Sequence, residues 1–178
     1  MLLYQNKVSA AFIDKVIKIS KNLNVDPNWI MALINFESAG TFSPGITNKL
    51  GYTGLIQFGT SAAADLGTTT AKLRAMTAVE QLDWVEKYYK LWYKRLGIAK
   101  VDSFLDMYLV TFFPKAVNQP LDFIIKSTDV SPEKIAKANP IFDLNKDGKI
   151  TLAEIERVML QRLPTQWLDT LKKKVETT

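Results

Sequence analysis

Six glycines and prolines (Gly40, Pro44, Gly45, Gly51, Gly54 and Gly59) fall between Ser38 and Thr60, too densely for a long regular element to pass through. On both sides of this stretch apolar residues recur at helical spacing. The chain therefore reads as helices interrupted by one irregular segment, a loop or a short hairpin. Before it, Phe12, Ile13, Val16, Ile17, Ile19 and Leu23 stripe a Lys-rich segment, an amphipathic opening helix. Asp26-Pro27 then supplies a cap and a proline at the first helical position. The segment from Asn28 to Phe36 that follows is apolar on most faces and belongs in the interior. After the irregular stretch, Val79, Leu82, Val85, Tyr89, Trp92 and Leu96 mark a long helix, and Phe104 to Phe113 an apolar one ended by Pro114. Ser131-Pro132-Glu133 opens a further helix, and Ile155, Val158, Met159 and Leu163 mark another before Pro164. The expected fold class is all-α (mainly α). Polar Lys126-Ser127-Thr128-Asp129 separates an expected core, residues 1–126, from a C-terminal unit, residues 127–178, packed on it.

Composition narrows the chemistry more than the fold. The 178 residues contain no Cys and no His, which removes disulfides, thiol catalysis, Ser-His nucleophiles and imidazole metal ligands. Acid–base work must fall to carboxylates. A formal charge of +5 favours anionic surfaces without choosing among cell wall, nucleic acid and lipid headgroups. No basic stripe with interleaved aromatics appears, so nucleic acid is not an expected partner. No apolar run approaches the roughly 20 residues of a membrane span. Met1 to Lys7 lacks the charged-then-apolar pattern of a signal peptide.

Glu37 is the carboxylate that stands out. It lies four residues after Leu33, three after Ile34 and seven after Ile30, on their apolar helix face. Burial there, and the negative end of the helix dipole, would both raise its pKa, as a general acid requires. Spacing alone equally allows a glutamate paired with an unseen Lys or Arg.

The context carries more. The run Ala32-Leu33-Ile34-Asn35-Phe36-Glu37-Ser38-Ala39-Gly40-Thr41-Phe42-Ser43-Pro44, followed by Gly51-Tyr52-Thr53-Gly54-Leu55-Ile56-Gln57-Phe58, resembles the Glu-Ser and Gly-Leu-Met-Gln motifs of soluble lytic transglycosylases and goose-type lysozymes. The stretches Leu66-Gly67-Thr68-Thr69-Thr70 and Ala78-Val79-Glu80-Gln81-Leu82-Asp83-Trp84-Val85-Glu86-Lys87-Tyr88 look like wording that recurs in phage and prophage endolysins of that superfamily. The resemblance spans roughly residues 25 to 160. It implies a lysozyme-like fold and a monomer acting on bacterial peptidoglycan, with Glu37 protonating the oxygen between N-acetylmuramic acid and N-acetylglucosamine. It also implies that Ser38 positions that carboxylate or the sugar, and that Tyr52, Gly54, Leu55, Ile56 and Gln57 form a wall of the cleft. An endolysin without a signal peptide would be made in the host cytoplasm and act on the cell wall, or be carried by the virion.

An inverting hydrolase needs a second carboxylate about 6.5 to 9.5 Å from the acid, and the interval from Glu37 to Gly54 contains no Asp or Glu. This favours the lytic route, in which the family's single Glu acts as acid and then as base, leaving 1,6-anhydro ends. Asp65 and Asp83 keep the hydrolytic lysozyme as the alternative. The family's Ala-Tyr-Asn motif is replaced by Val110-Thr111-Phe112-Phe113-Pro114; Tyr108, one turn earlier, is the substitute for its tyrosine or else one member of an aromatic packing stripe.

Residues 143–154 satisfy the EF-hand pattern. Asp143, Asn145, Asp147 and Glu154 would offer side-chain oxygens to Ca2+, Lys149 its carbonyl, and Thr151 a bridging water, while Gly148 allows the sharp turn. Pro140 keeps the preceding helix from running into the loop, so only a half-regular EF-hand is expected. A single loop suits a structural staple rather than a sensor. A non-catalytic, calcium-binding module that holds peptidoglycan is the other class of reading. The Lys172-Lys173-Lys174 run is expected at a solvated helix end.

Overall fold

A computed structural model describes residues 1–172. The described residues are all-α: nine α-helices and two single 3₁₀ turns, with isolated β-bridges and no strand. They divide into two compact units, Met1–Asp102 and a second that begins at Ser103. The polar stretch at 126–129 is thus internal to the second unit. The division follows packing, which a local change of composition does not report.

In the first unit, α1 (Ala10–Leu23), α2 (Pro27–Glu37) and α5 (Ala78–Leu96) form the framework. Ser9 caps α1 and Asp26 caps α2, each by accepting a backbone N–H, with Pro27 at the first position of α2. The stripe Phe12, Val16, Ile19 and Leu23 turns inward, and α1 packs on both α2 and α5. Every residue of α2 from Asn28 to Ile34 is buried, so this helix is enclosed on all sides. Polar bonds join α1 to α5 at its margin: Lys15 to Asp83 at 2.8 Å, Asn22 Nδ2 to Glu86 at 2.9 Å and Tyr93 Oη to the Leu23 carbonyl at 3.3 Å. Helix α5 starts with a capping box between Thr77 and Glu80 and ends on Gly97 at φ 68°.

Two short helices, α3 (Thr60–Asp65) and α4 (Thr70–Arg74), follow the irregular segment. Neither has a readable apolar period, because each is barely more than one turn long. The second unit comprises α6 (Phe104–Phe112), a 3₁₀ turn at Pro114–Ala116, α7 (Pro132–Ala138), α8 (Leu152–Gln161) and α9 (Thr165–Lys172). Helix α6 packs on the 3₁₀ turn and on α8. Lys173 and Lys174 of the C-terminal lysine run lie outside the described residues. No helix among those described is long and apolar enough to cross a membrane.

Candidate functional site

Glu37 is the last residue of α2. It is half-buried, not enclosed as its place on the apolar face predicts, because the helix ends there and opens onto the loop. The chain leaves the helix through left-handed backbone at Ala39 (φ 50°), Gly40 (φ 78°) and Phe42 (φ 53°). Largely buried side chains hold this conformation. Phe42 is buried, with its ring edge-on to Phe12 at 6.1 Å and tilted against Tyr4 at 6.2 Å. From outside, Lys7 donates to the Gly40 carbonyl at 3.1 Å and to Asn35 Oδ1 at 3.3 Å. Ser38 is fully buried and its hydroxyl accepts the Phe42 N–H at 3.0 Å. In this structure the Ser38 hydroxyl faces inward and shapes the loop that leaves Glu37.

The irregular segment folds into a miniature meander with single bridges from Thr47 to Thr53 and from Thr53 to Phe58. Asn48 sets its tip, accepting the N–H groups of Leu50 and Tyr52 at 2.9 and 3.1 Å. Leu50 is 82% exposed and Tyr52 44% exposed. The Tyr52 ring lies against Gly59, where a Cβ would come within 2.8 Å of it. Leu55, Ile56 and Phe58 are buried, so of the residues expected to form a wall Leu55 and Ile56 lie inside, while Tyr52 and half-buried Gln57 reach the surface. Gln57 sits at φ 56° and donates Nε2 to the carbonyls of Gly54 (3.1 Å) and Ile46 (3.3 Å), which leaves its Oε1 as the group to offer a ligand hydroxyl.

Behind the wall stands Gln81 of α5, with no exposed surface. Its Oε1 accepts the Leu55 N–H at 2.7 Å, and its Nε2 donates to the carbonyls of Pro44 at 2.9 Å and Leu73 at 2.8 Å. Two turns further along α5, Tyr88 meets Phe58 of the wall edge-on at 6.1 Å. Burial raises the pKa of Tyr88, a hydrogen bond with Trp92 opposes this, and the charge of Glu37 raises it further. Tyr89, fully buried behind it, is shifted the same way by burial and more weakly by Tyr88, Tyr93 and Glu37. Glu37, Tyr88 and the wall thus belong to one neighbourhood.

The two alternative carboxylates are engaged elsewhere. Asp65 pairs with Arg95 at 2.8 Å, and the hydrogen bond from that guanidinium lowers its pKa. Asp83 pairs with Lys15 on the α1–α5 seam at 2.8 Å.

In the second unit, Tyr108 is buried in α6, stacked on Phe112 at 5.5 Å and tilted against Phe142 at 5.8 Å. The aromatic packing stripe read from its spacing is present. The loop from Asp143 to Glu154 is drawn into a ring by its own side chains. Asp143 Oδ1 and Asn145 Oδ1 both accept the Asp147 N–H, at 3.1 and 3.0 Å, and Asp143 Oδ2 accepts the Gly148 N–H at 3.1 Å. Asp147 Oδ1 accepts the Lys149 N–H at 2.9 Å. Glu154 closes the ring, reaching the Leu144 N–H at 3.1 Å and, with its other oxygen, the N–H and hydroxyl of Thr151 at 2.9 Å. Gly148 makes the turn at φ 79°, and α7 stops before Pro140. Among the described residues no group of three or more His, Cys, Asp or Glu converges as a metal cage.

No family model, curated protein or solved structure significantly matches this chain. Function therefore has to be argued from the sites themselves. The sequence reading passed over Gln81 and Tyr88, although both lie on the inward stripe of α5 with Val85, at i, i+4 and i+7. A polar amide on a buried stripe is the same signal that singled out Glu37.

Proposed function

We propose that the first unit is a peptidoglycan glycosidase working by the lytic transglycosylase route, with Glu37 as acid and then base. The observation that carries this is the placing of Glu37. It is a partly buried acid at the end of an enclosed helix, followed at once by a strained loop, and its charge acts on Tyr88, whose ring meets Phe58 just after the Gly-Tyr-Thr-Gly-Leu-Ile-Gln run. A half-exposed acid can meet substrate, which an enclosed one cannot.

Glu37 would give its proton to the glycosidic oxygen, and the bond from that oxygen to C1 of N-acetylmuramic acid breaks. The carboxylate then takes the proton of the sugar's own C6 hydroxyl, whose oxygen bonds to C1 and closes the 1,6-anhydro ring. The proton returns to Glu37 and no water is consumed. Engagement of Asp65 with Arg95 and of Asp83 with Lys15 supports this route over hydrolysis, since neither carboxylate stands ready as a base for water. Tyr52 and Gln57 Oε1 are the wall groups suited to a sugar face and a sugar hydroxyl.

The second unit would carry a structural Ca2+ site formed by Asp143, Asn145, Asp147, the Lys149 carbonyl, Thr151 and Glu154. The hard oxygen donors and the sharp turn at Gly148 fit that ion. A lysozyme-like core followed by an EF-hand-like loop is the finer fold reading that goes with this proposal.

Digestion of purified peptidoglycan by wild type and Glu37→Gln, with mass analysis of the products, tests the enzyme. Anhydro-muramic ends from wild type and at least a 10²-fold loss in Glu37→Gln are expected. Equal turnover would remove Glu37 from the chemistry, and reducing muramic ends would replace the lytic route by hydrolysis.

A further inference from the structure

Resting on the glycosidase reading, we propose that Gln81 is a positioning residue that sets the separation between Glu37 and the wall against which a glycan strand lies. One enclosed amide holds three chain segments: the turn at Pro44, the wall at Leu55 and the end of α4 at Leu73. Its orientation is determined by the partners, because the two carbonyls can meet only its nitrogen and the N–H only its oxygen. The Pro44 turn belongs to the loop that leaves Glu37, and Leu55 belongs to the wall. Both are therefore hung from one side chain on α5, which shares with α2 the packing surface of α1.

Gly54 supports the assignment. A Cβ there would collide with the Gln81 amide, approaching its Cδ to 2.8 Å, and Gly54 adopts φ 83°. The glycine of the Gly-Leu-Ile-Gln run is thus required by Gln81 from the inside, independently of any sugar outside. Loss of the amide would leave the buried Leu55 N–H and the part-buried Pro44 carbonyl short of a partner, and the Leu73 carbonyl with the Met76 N–H alone. The segments would then settle at new positions, and the acid and the wall would no longer be held in register.

The test measures kcat and KM of wild type, Gln81→Met and Gln81→Glu on solubilised peptidoglycan strands, at temperatures where thermal unfolding shows each protein folded. Gln81→Met is expected to lower kcat about ten- to a hundredfold with KM changed no more than about threefold, the signature of misplaced rather than weakened binding. Gln81→Glu keeps the acceptor for Leu55 and regains one donor when its carboxyl is protonated. Its activity relative to wild type should therefore fall as pH rises, while the Gln81→Met ratio stays flat. A merely structural role would not produce that contrast. Wild-type kcat in folded Gln81→Met, or a flat ratio for Gln81→Glu, overturns the role of Gln81 while leaving the enzyme reading intact. Equal turnover by wild type and Glu37→Gln overturns both.

Discussion

Lys7 Nζ lies 3.1 Å from the carbonyl of Gly40 and 5.2 Å from the ring centre of Tyr4, so a residue ahead of the first helix braces the loop that leaves Glu37. The same ammonium sits 5.9 Å from the ring of Phe42, itself a left-handed residue of that loop at φ 53°. Lys7→Met keeps the apolar stem and removes the charge and the donor. The expected cost is about 1 kcal/mol, from two solvent-exposed cation–π contacts and two charge-assisted hydrogen bonds that water partly replaces. A drop of roughly 4 °C in Tm should accompany it, with a loss of activity that exceeds the loss of folded protein. An unchanged Tm and rate would show that Phe42 and Ser38 hold the loop unaided.

Three tyrosines on α5 make stability sensitive to alkali. Burial pushes Tyr93 up from its ordinary value of 10.0 to about 12, and shifts Tyr88 and Tyr89 in the same direction. A group that holds its proton more tightly when folded contributes stability that is whole below its unfolded pKa and is lost as pH rises through that value toward the folded one. Tm should therefore be level up to about pH 9.5 and fall between about pH 10 and 12. Tyr93→Phe, which gives up the bond to the Leu23 carbonyl, should lower Tm at neutral pH and flatten the alkaline slope. Parallel profiles for the two proteins would count against the assignment.

Glu154 has two roles that one substitution can separate. It completes the capping box of α8 with Thr151, and it is the twelfth residue of the proposed calcium loop. Glutamine serves a capping box as well as glutamate does, but offers a calcium ion one oxygen instead of two. Glu154→Gln should therefore melt somewhat below wild type in chelator, because its amide nitrogen cannot accept the Leu144 N–H, and fail to gain the rise in Tm that millimolar Ca2+ confers on wild type. A wild-type Tm that calcium and chelator leave unmoved would refute the site.

Helix existence and type were legible along most of the chain because burial of one face imposes a 3.6-residue period that survives in the sequence. The stripe of α1, the proline-opened α2 and α7, and the long α5 all stand where that period places them. Pro140 likewise marked the stop of α7. Helices α3 and α4 left too few residues to show a period, and the polar stretch at 126–129 marked a surface loop inside a unit rather than its edge.

For the site, the sequence by itself determined that acid–base chemistry must rest on carboxylates, that Glu37 ends an apolar helix, and that a glycine-rich segment follows it. Only the tertiary structure decided how far Glu37 is exposed, that Ser38 faces inward, that Asp65 and Asp83 are already paired, and that Gln81 hangs loop and wall from one helix. The reason is physical: a local pattern records which face of an element is apolar. Exposure at a helix end and hydrogen bonds such as that between Gln81 and Pro44, 37 residues apart, depend on which segments meet in space.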